Sequence, residues 1–266
     1  MPLHAIRSAS LAAALVCSSA LAHAEGLKPM SDAELSEVTG QALLTLTNQN
    51  YDGRDFTRIT LGADVQLSAN LSKVRLGEYS YAARNATGAD IDIGLLRFGR
   101  SDGTEAQRTV NITDPYFEFV YKNGADVTKR EVIGMRLGFG GIQGELGVQL
   151  NAVSGSLLIN GGAAGNYDSH NDTLGGKRWD GTVCATPNAC GLTLSQIGQL
   201  TAGDTSGSSR DFFISVLRQA VNFPSANAAV AAPDKALEGF WMNWRDRVYA
   251  PVLNAPPPPN LPKTPG

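Results

Sequence analysis

The chain contains 266 residues, of which 18% are charged and 29 are glycines, and its formal net charge is −3. A globular domain usually contains about 25% charged residues and about 7% glycine, so this balance favours turn-rich β structure over surface helices. A mildly acidic chain lacks the positive charge that attracts nucleic acid, and this class of partner is therefore excluded.

The first 24 residues have the three parts of an export signal. Arg7 supplies the positive region, residues 11–16 supply a short apolar run, and Ala22-His23-Ala24 supplies small residues for cleavage. The run is shorter than the about 20 apolar residues that span a bilayer, so we predict a cleaved signal peptide, 1–24, and not an anchor. Lipidation of Cys17 is the alternative, but a valine precedes this cysteine where lipoprotein signals have a small residue.

A short helix of about two turns is predicted directly after the cleavage site. Ser31 and Glu34 have the spacing of a capping box, in which each side chain bonds to the backbone amide of the other residue. Leu35 lies at a position that a helix would bury, and Gly40 provides the left-handed residue that ends helices. This N-terminal motif therefore has a local structural explanation for nearly every residue.

Alternation of apolar and polar residues is clearest from Ile59 to Leu71, which indicates one long strand with one face against the core. We expect Ile59, Leu61, Val65 and Leu67 to face inward. Glycine-containing turn signals separate the other runs, for example at Asp52-Gly53 and at Gly140-Gly141. Further strands are predicted at 41–47, 74–81, 89–98, 116–121, 132–139, 145–150 and 156–159.

This pattern predicts a mainly β fold, an antiparallel sandwich or roll, with its β-rich domain at 25–160. From 161 to 207 glycine, asparagine and serine dominate, and a loop region is expected there. Cys184 and Cys190 lie in this region. Because export places them where disulfides persist, we predict that they are bridged, with a contribution of about 2 kcal/mol for so short a loop. A metal site would need more ligands than two thiolates.

Apolar residues return in the segment 208–252, which we predict to form helices that pack on the sheet. A strand through 212–216 is the alternative. Phe240, Trp241 and Trp244 fall at helical spacing and are expected to pack in the core or to form a surface for a partner or ligand. The Pro-rich tail, 253–266, is predicted to be disordered and polyproline-like.

The sequence lacks the motifs of the common exported hydrolases, including Gly-x-Ser-x-Gly and Ser-x-x-Lys. His170 is the only histidine after residue 24 and lies in a Gly-rich loop, which disfavours a Ser-His-acid site. Asp90 and Asp92 share one strand face and suit an acid–base pair, but alternation places them on the solvated face. We therefore predict a protein that is not an enzyme, with no catalytic residue, cofactor or metal.

One acidic and amide cluster has the residue types of a calcium site. Its spacing does not match the Asp-x-Asx-x-Asx-Gly pattern of calcium-binding loops, so a solvated loop is the preferred interpretation. The cluster consists of Asn166, Asp168, Asn171 and Asp172.

The run from Leu27 to Gln41, with Ser31, Glu34, Leu35 and the Thr39-Gly40-Gln41 end, resembles the mature N-terminus of a group of exported proteobacterial envelope proteins. Some members of this group are described as pilus-system proteins. The resemblance covers about fifteen residues. It implies a location outside the cytoplasm, in the periplasm, at the outer-membrane periphery or at the cell surface, and it implies no catalytic residue.

Three functions follow as hypotheses. The first is a non-enzymatic component of the envelope or cell surface, in a pilus-like or adhesive assembly with itself or with other envelope proteins, because long strands offer edges for pairing. The second is an accessory protein that binds or passes lipids and other hydrophobic compounds, with a cleft beside Phe240, Trp241 and Trp244. The third is a hydrolase that acts through carboxylates.

Overall fold

The computed structural model describes residues 43–80, 88–124, 126, 128–184 and 193–262. The signal peptide and the N-terminal motif of Ser31, Glu34, Leu35 and Gly40 lie outside the described residues, as does Cys190. The predictions made for them, including the short N-terminal helix and the disulfide, therefore remain predictions.

Strands dominate the described part of the chain, and the prediction of a mainly β fold is confirmed. The helical turns among the described elements are short 3₁₀ helices at Glu105–Arg108, Gly162–Ala164, Ser169–Asn171 and Leu194–Gln196. The strands are β1 (Leu44–Tyr51), β2 (Arg54–Leu61), β3 (Asp64–Leu67), β4 (Ala69–Leu76), β5 (Ile91–Phe98), β6 (Val110–Lys122), β7 (Glu131–Val153), β8 (Gly155–Asn160), β9 (Asn166–Asp168), β10 (Gln199–Ala202), β11 (Phe213–Leu217), β12 (Gly239–Trp244) and β13 (Val248–Tyr249).

The long strand predicted from residue 59 to residue 71 is divided among β2, β3 and β4. β2 and β3 both pair with β6, whereas β4 pairs with β5. The chain therefore leaves one set of strands and joins another at Ser68. Val65, which we expected in the core, is 37% exposed, because alternation indicates which residues share a face and not whether another layer covers that face.

β7 has 23 residues and replaces two predicted strands and the turn predicted at Gly140-Gly141. Its first half pairs with β6 and β11, and its second half pairs with β5 and β10. Gly144 has a φ of 142° at this change of partners, a conformation that side-chain-bearing residues rarely adopt. The glycines therefore allow one continuous strand to serve two sheets.

The strands form two sheets that share β7 and β8. Sheet I contains β1, β2, β3, β6, the first half of β7, β11, β12 and the start of β8. Sheet II contains β4, β5, the second half of β7, β10, β13, the end of β8 and β9. The pairing is mixed, because β8 runs parallel to β12 and β13. Strands from the predicted loop region and helical segment thus complete the same sheets as those from 25–160.

The prediction of helices in 208–252 is wrong. The segment forms β11, β12 and β13, so the alternative of a strand near 212–216 is the correct one. Both strands contribute apolar residues to both faces, with Phe213 buried in one hydrophobic cluster and the partly buried Ile214 packed against the other. Burial on both faces produces runs of apolar residues that periodicity cannot distinguish from a helix.

The outer face of sheet I is covered by the segment 218–237 and contains charged residues. Arg58, Glu118 and Arg136 are directly opposite one another on β2, β6 and β7. Arg136 Nη2 lies 2.8 Å from Glu118 Oε1, and Arg58 Nη2 lies 2.5 Å from Glu118 Oε2. The Arg136 guanidinium stacks 4.4 Å from the ring centre of Phe223, which comes from the covering segment. Each buried charge therefore has partners.

The prediction of a disordered tail is wrong for residues 253–262, which pack against sheet II. Arg97 Nη1 donates to the carbonyls of Pro257 and Pro258, at 3.1 and 2.7 Å. Asn260 is 6% exposed, and its amide donates to the Phe98 carbonyl at 2.9 Å. A side chain at Gly198 would meet the Ala255 carbonyl oxygen, so the glycine permits this close approach.

Candidate functional site

A cavity of about 240 Å³ lies between the two sheets. It lies among the side chains of the main hydrophobic core. The described residues that line it are all apolar: Leu71, Val74, Leu76, Ile91, Ile93, Leu96, Phe98, Leu137, Phe139, Ile142, Leu146, Val148, Leu150, Val153, Leu157, Ile159, Leu200, Phe212, Ile214, Met242 and Trp244.

Sheet II forms one wall, in four successive cross-strand rows. β4, β5 and β7 place Leu76, Ile91 and Val153 in the first row, and a β-bulge between Ile93 and Leu95 keeps the later lining residues of β5 on the same side. The rows follow β5 from Ile91 to Phe98. The rows are Leu76–Ile91–Val153, Val74–Ile93–Leu150, Leu71–Leu96–Val148 and Phe98–Leu146.

Sheet I forms the opposite wall through alternate residues of β7, β11 and β12. Leu137, Ile214 and Met242 are directly opposite one another on these strands. Phe212, which precedes β11, packs edge-on against Trp244, with ring centres 5.1 Å apart. The rings of Phe212 and Trp244 thus line the cavity on the same wall as Leu137.

The predicted surface of Phe240, Trp241 and Trp244 is not one surface, because β12 is a strand. Trp244 lines the cavity, and Phe240 packs against the same core. Trp241 belongs to the separate cluster on the outer face of sheet I. Successive residues of a strand point to opposite faces, and this separates side chains that a helix would have brought together.

The cavity reaches the surface beside β4, the outer strand of sheet II. Leu71 is 45% exposed and Leu137 is 37% exposed, although both side chains also line the cavity. At the other extreme, Val153 is fully buried and Leu157 is 2% exposed. The lining therefore reaches the surface at Leu71 and at Leu137, whereas its interior is closed.

Water is a poor occupant of such a cavity. A buried water needs two to four polar partners, and an apolar cavity of about 150 Å³ can stay dry and take up benzene. The cavity in this protein is larger, at about 240 Å³, and the described residues that line it provide no polar side chain. The lining side chains lack van der Waals contacts on the side of the cavity, and a bound apolar molecule would supply them. The cavity therefore favours hydrophobic ligands.

A polar cluster around Asp234 is the second candidate site. Asp234 Oδ2 accepts a hydrogen bond from Ser156 Oγ at 2.5 Å and lies 2.7 Å from His170 Nε2. Arg245 binds both carboxylate oxygens of Asp168, at 2.9 and 3.1 Å. Burial alone raises the pKa of Asp234, but the hydrogen bonds from Ser156 and His170 outweigh it and hold this pKa below its usual value.

This cluster does not have the arrangement of a nucleophile triad. In such a triad the histidine lies between the serine and the acid and takes the proton of the serine. Here Asp234 lies between Ser156 and His170, so the serine donates to a carboxylate. The geometry explains how the loop around His170 is held and indicates no activated serine.

Asp90 and Asp92 do not form the solvated pair that alternation predicted. Asp90 is fully buried, and its Oδ2 accepts the Phe240 amide at 3.0 Å. Asp92 accepts a hydrogen bond from Asn151 Nδ2 at 2.8 Å. Asp90 therefore connects the start of β5 to β12, a structural role that the sequence pattern did not indicate.

The predicted calcium alternative also has a different geometry. Arg245 occupies both oxygens of Asp168, and Asp172 accepts the Gly176 amide at 2.8 Å. In the part of the chain that the structure describes, no three His, Cys, Asp or Glu residues are grouped so that they could hold a metal ion.

No family model, curated protein or solved structure matches this chain. The resemblance of the N-terminal motif thus remains a prediction. Among the described residues, no helix is long and apolar enough to cross a membrane.

Among the residues that line the cavity, Trp244 is the one that the sequence indicates as part of a candidate surface. Val74 and Ile93 lie in predicted strands, but strand residues of ordinary cores have the same pattern. The space between two sheets depends on how their side chains meet, and no local sequence signal describes that.

Proposed function

We propose that this protein binds a hydrophobic ligand in the cavity between its two sheets. The observation that carries the proposal is the uniformly apolar lining of a cavity of about 240 Å³ between the sheets, whose lining includes the exposed residues Leu71 and Leu137. A core without a ligand-binding role would gain stability from larger side chains, since empty volume in a core costs about 24 cal/mol per Å³.

The proposed ligand class agrees with the second of the sequence-based hypotheses. In an exported protein such a cavity would serve to hold or pass a lipid or another hydrophobic compound across the envelope. Export is supported by the three-part signal in residues 1–24.

Binding is tested by blocking the cavity. Val148 lies on β7 in the row of Leu71 and Leu96, and Val148→Phe places a ring in the cavity. We expect this variant to lose at least tenfold in affinity for a fluorescent fatty acid and to copurify with less lipid. Val132→Phe is the matched control, because Val132 also lies on β7 but is 46% exposed and does not line the cavity. Equal binding by both variants would contradict the proposal.

Export and the disulfide are tested by the intact mass of the protein recovered outside the cytoplasm. We expect a chain that begins at Glu25 and is lighter by two hydrogens, from a bridge between Cys184 and Cys190. A lipid-modified chain that begins at Cys17 would contradict the cleavage site. Two reactive thiols in the denatured, unreduced protein would contradict the bridge and the proposed compartment.

A second candidate function is assembly through the edge of sheet I. Among the described strands β1 pairs with β2 alone, and its Leu44 and Leu46 are 54% and 63% exposed. An unpaired edge with apolar side chains is a template for pairing with another chain. Leu46→Pro would remove a backbone donor from this edge, because the hydrogen-bonded pairs of β1 with β2 are those of the odd-numbered residues, and loss of polymers or complexes on size exclusion would support assembly. A monomeric unmodified protein would contradict it.

A further inference from the structure

The two outer strands β1 and β4 differ in how they are protected against pairing with another chain. β4 pairs with β5 alone among the described strands, contains Lys73 and Arg75, and has a φ of 56° at Lys73. Charged side chains and an irregular backbone are features by which natural edge strands avoid association. In β1, all of which is described, no residue is charged, glycine or proline and none has a positive φ. Sheet I therefore ends in a regular strand without such protection.

The free backbone groups of β1 belong to its even-numbered residues. In a hairpin with a two-residue connection, the residues next to the turn exchange hydrogen bonds, and here these are Tyr51 and Arg54. The Gly62 amide donates to the Leu43 carbonyl at 2.8 Å, so the odd-numbered residues are bonded to β2 at the other end as well. The residues whose amides and carbonyls point away from β2 are Leu44, Leu46, Asn48 and Asn50.

The same edge is the exposed end of an apolar row that crosses sheet I. The row takes one residue from each of six paired strands, β1, β2, β6, β7, β11 and β12. Leu46 begins it and is 63% exposed, whereas Met242 ends it at the cavity and is 8% exposed. The row consists of Leu46, Ile59, Phe117, Leu137, Ile214 and Met242. A strand added beside β1 would continue this row and cover its exposed end.

We propose that β1 pairs in antiparallel orientation with β1 of a second copy of this chain, with Leu46 opposite the partner's Leu46. This proposal deepens the second candidate function, assembly through the edge of sheet I, on which it rests, and does not depend on ligand binding. A symmetric pair requires a strand that is complementary to itself. β1 meets this requirement because it has no charge that would lie opposite its own copy.

The apolar row selects the register of the pair. Even-numbered residues must pair with even-numbered ones, since they carry the free backbone groups. With Leu46 on the twofold axis, Thr45 lies opposite the partner's Thr47, a favourable pair, and the apolar rows of the two copies join. With Thr47 on the axis instead, Leu46 would lie opposite the partner's Asn48 and the row would be interrupted.

The first test places charge on the axis. The purified protein should sediment as a dimer, and Leu46→Lys and Leu46→Glu should each weaken self-association at least tenfold, because like charges would lie opposite each other. Leu46 is exposed, so both variants should keep the circular dichroism spectrum of the parent. An equimolar mixture of the two variants should regain the dimer, which a merely structural effect would not produce. Leu261→Lys, at a residue that is 65% exposed in the tail, should leave the dimer unchanged.

Single cysteines along β1 test the register. In a hydrogen-bonded antiparallel pair the Cα atoms are about 5.5 Å apart, within the range of a disulfide, so Leu46→Cys should give a covalent dimer with copper phenanthroline. Asn50 is four residues from the axis, and its two copies would be about 27 Å apart at about 3.4 Å per residue. Asn50→Cys should therefore not cross-link. The unmodified protein controls for Cys184 and Cys190.

The outcomes separate this inference from the function on which it rests. A dimer that persists in Leu46→Lys, or that cross-links at Asn50→Cys and not at Leu46→Cys, would overturn the inference and leave assembly in another arrangement. A protein that is monomeric alone but joins a different envelope protein, with loss of that complex in Leu46→Pro, would overturn the second copy and leave assembly through this edge. A protein that forms neither a dimer nor a complex would overturn both.

Discussion

The two faces of sheet I differ in the side chains they present and in how tightly these are packed. On the outer face, Glu118 and Arg136 are charged yet fully enclosed, and Phe223 stacks on the guanidinium. On the other face the neighbouring residues Phe117 and Leu137 are 49% and 37% exposed and belong to an apolar row that reaches a cavity. The charged face is filled and the apolar face is not. Hydrophobic composition alone therefore does not predict where a protein is tightly packed.

The largest expected effect is the loss of the central carboxylate on the outer face. Glu118→Gln would leave two arginines, one of them fully buried, without their counter-charge. We expect the free energy of unfolding to fall by about 3–5 kcal/mol, the usual cost of breaking a buried ion pair. Urea denaturation measures it. Glu78→Gln, which breaks the exposed pair with Arg75, should cost less than about 1 kcal/mol.

Enlarging side chains on a single strand compares the outer face of sheet I with the cavity between the two sheets. Ile133 on β7 is 2% exposed in the cluster of the outer face, and Ile133→Phe should cost about 1–3 kcal/mol through overpacking. Val148→Phe, on the same strand, enters the cavity and should change the free energy of unfolding by less than about 1 kcal/mol. Similar losses in both variants would mean that the cavity does not accept added volume.

The third prediction concerns the tail that packs beside the cavity wall. Asn260→Ala removes the donor to the Phe98 carbonyl at the end of β5, and we expect a loss of about 1–2 kcal/mol because that acceptor loses its partner. Thermal or urea unfolding measures it. Leu261→Ala changes a residue that is 65% exposed and should have an effect below about 0.5 kcal/mol.

The smallest effect depends on pH. Burial raises the pKa of Asp211, although the backbone amides of Arg245 and Asp246 donate to its carboxylate. The folded state therefore prefers the protonated acid, so this contribution to stability is complete below the ordinary pKa of about 4. It is lost as the pH rises through the raised pKa of the folded state. Asp211→Asn should remove this dependence, measured as the difference between variant and parent across the acidic range.

The sequence by itself determined several turns and the β character of the strands that the structure describes between residues 44 and 160. Alternation of apolar and polar residues requires only that one face of a strand is covered. Asp52-Gly53 forms the predicted turn as a two-residue connection, with both residues at positive φ. These signals are local. They act through the conformations that a few neighbouring residues can adopt, so they can be read without knowledge of partners.

The tertiary structure decided what local patterns leave open. The spacing of Phe240, Trp241 and Trp244 also fits a helix, but β8 and β11 pair with both edges of β12 and make it a strand. The alternation at Val65 fits a core position, but this residue is 37% exposed. The cavity arises where the side chains of two sheets do not fill the space between them. Its lining combines strands as distant in sequence as β4 and β12, and the volume left over depends on all of them together.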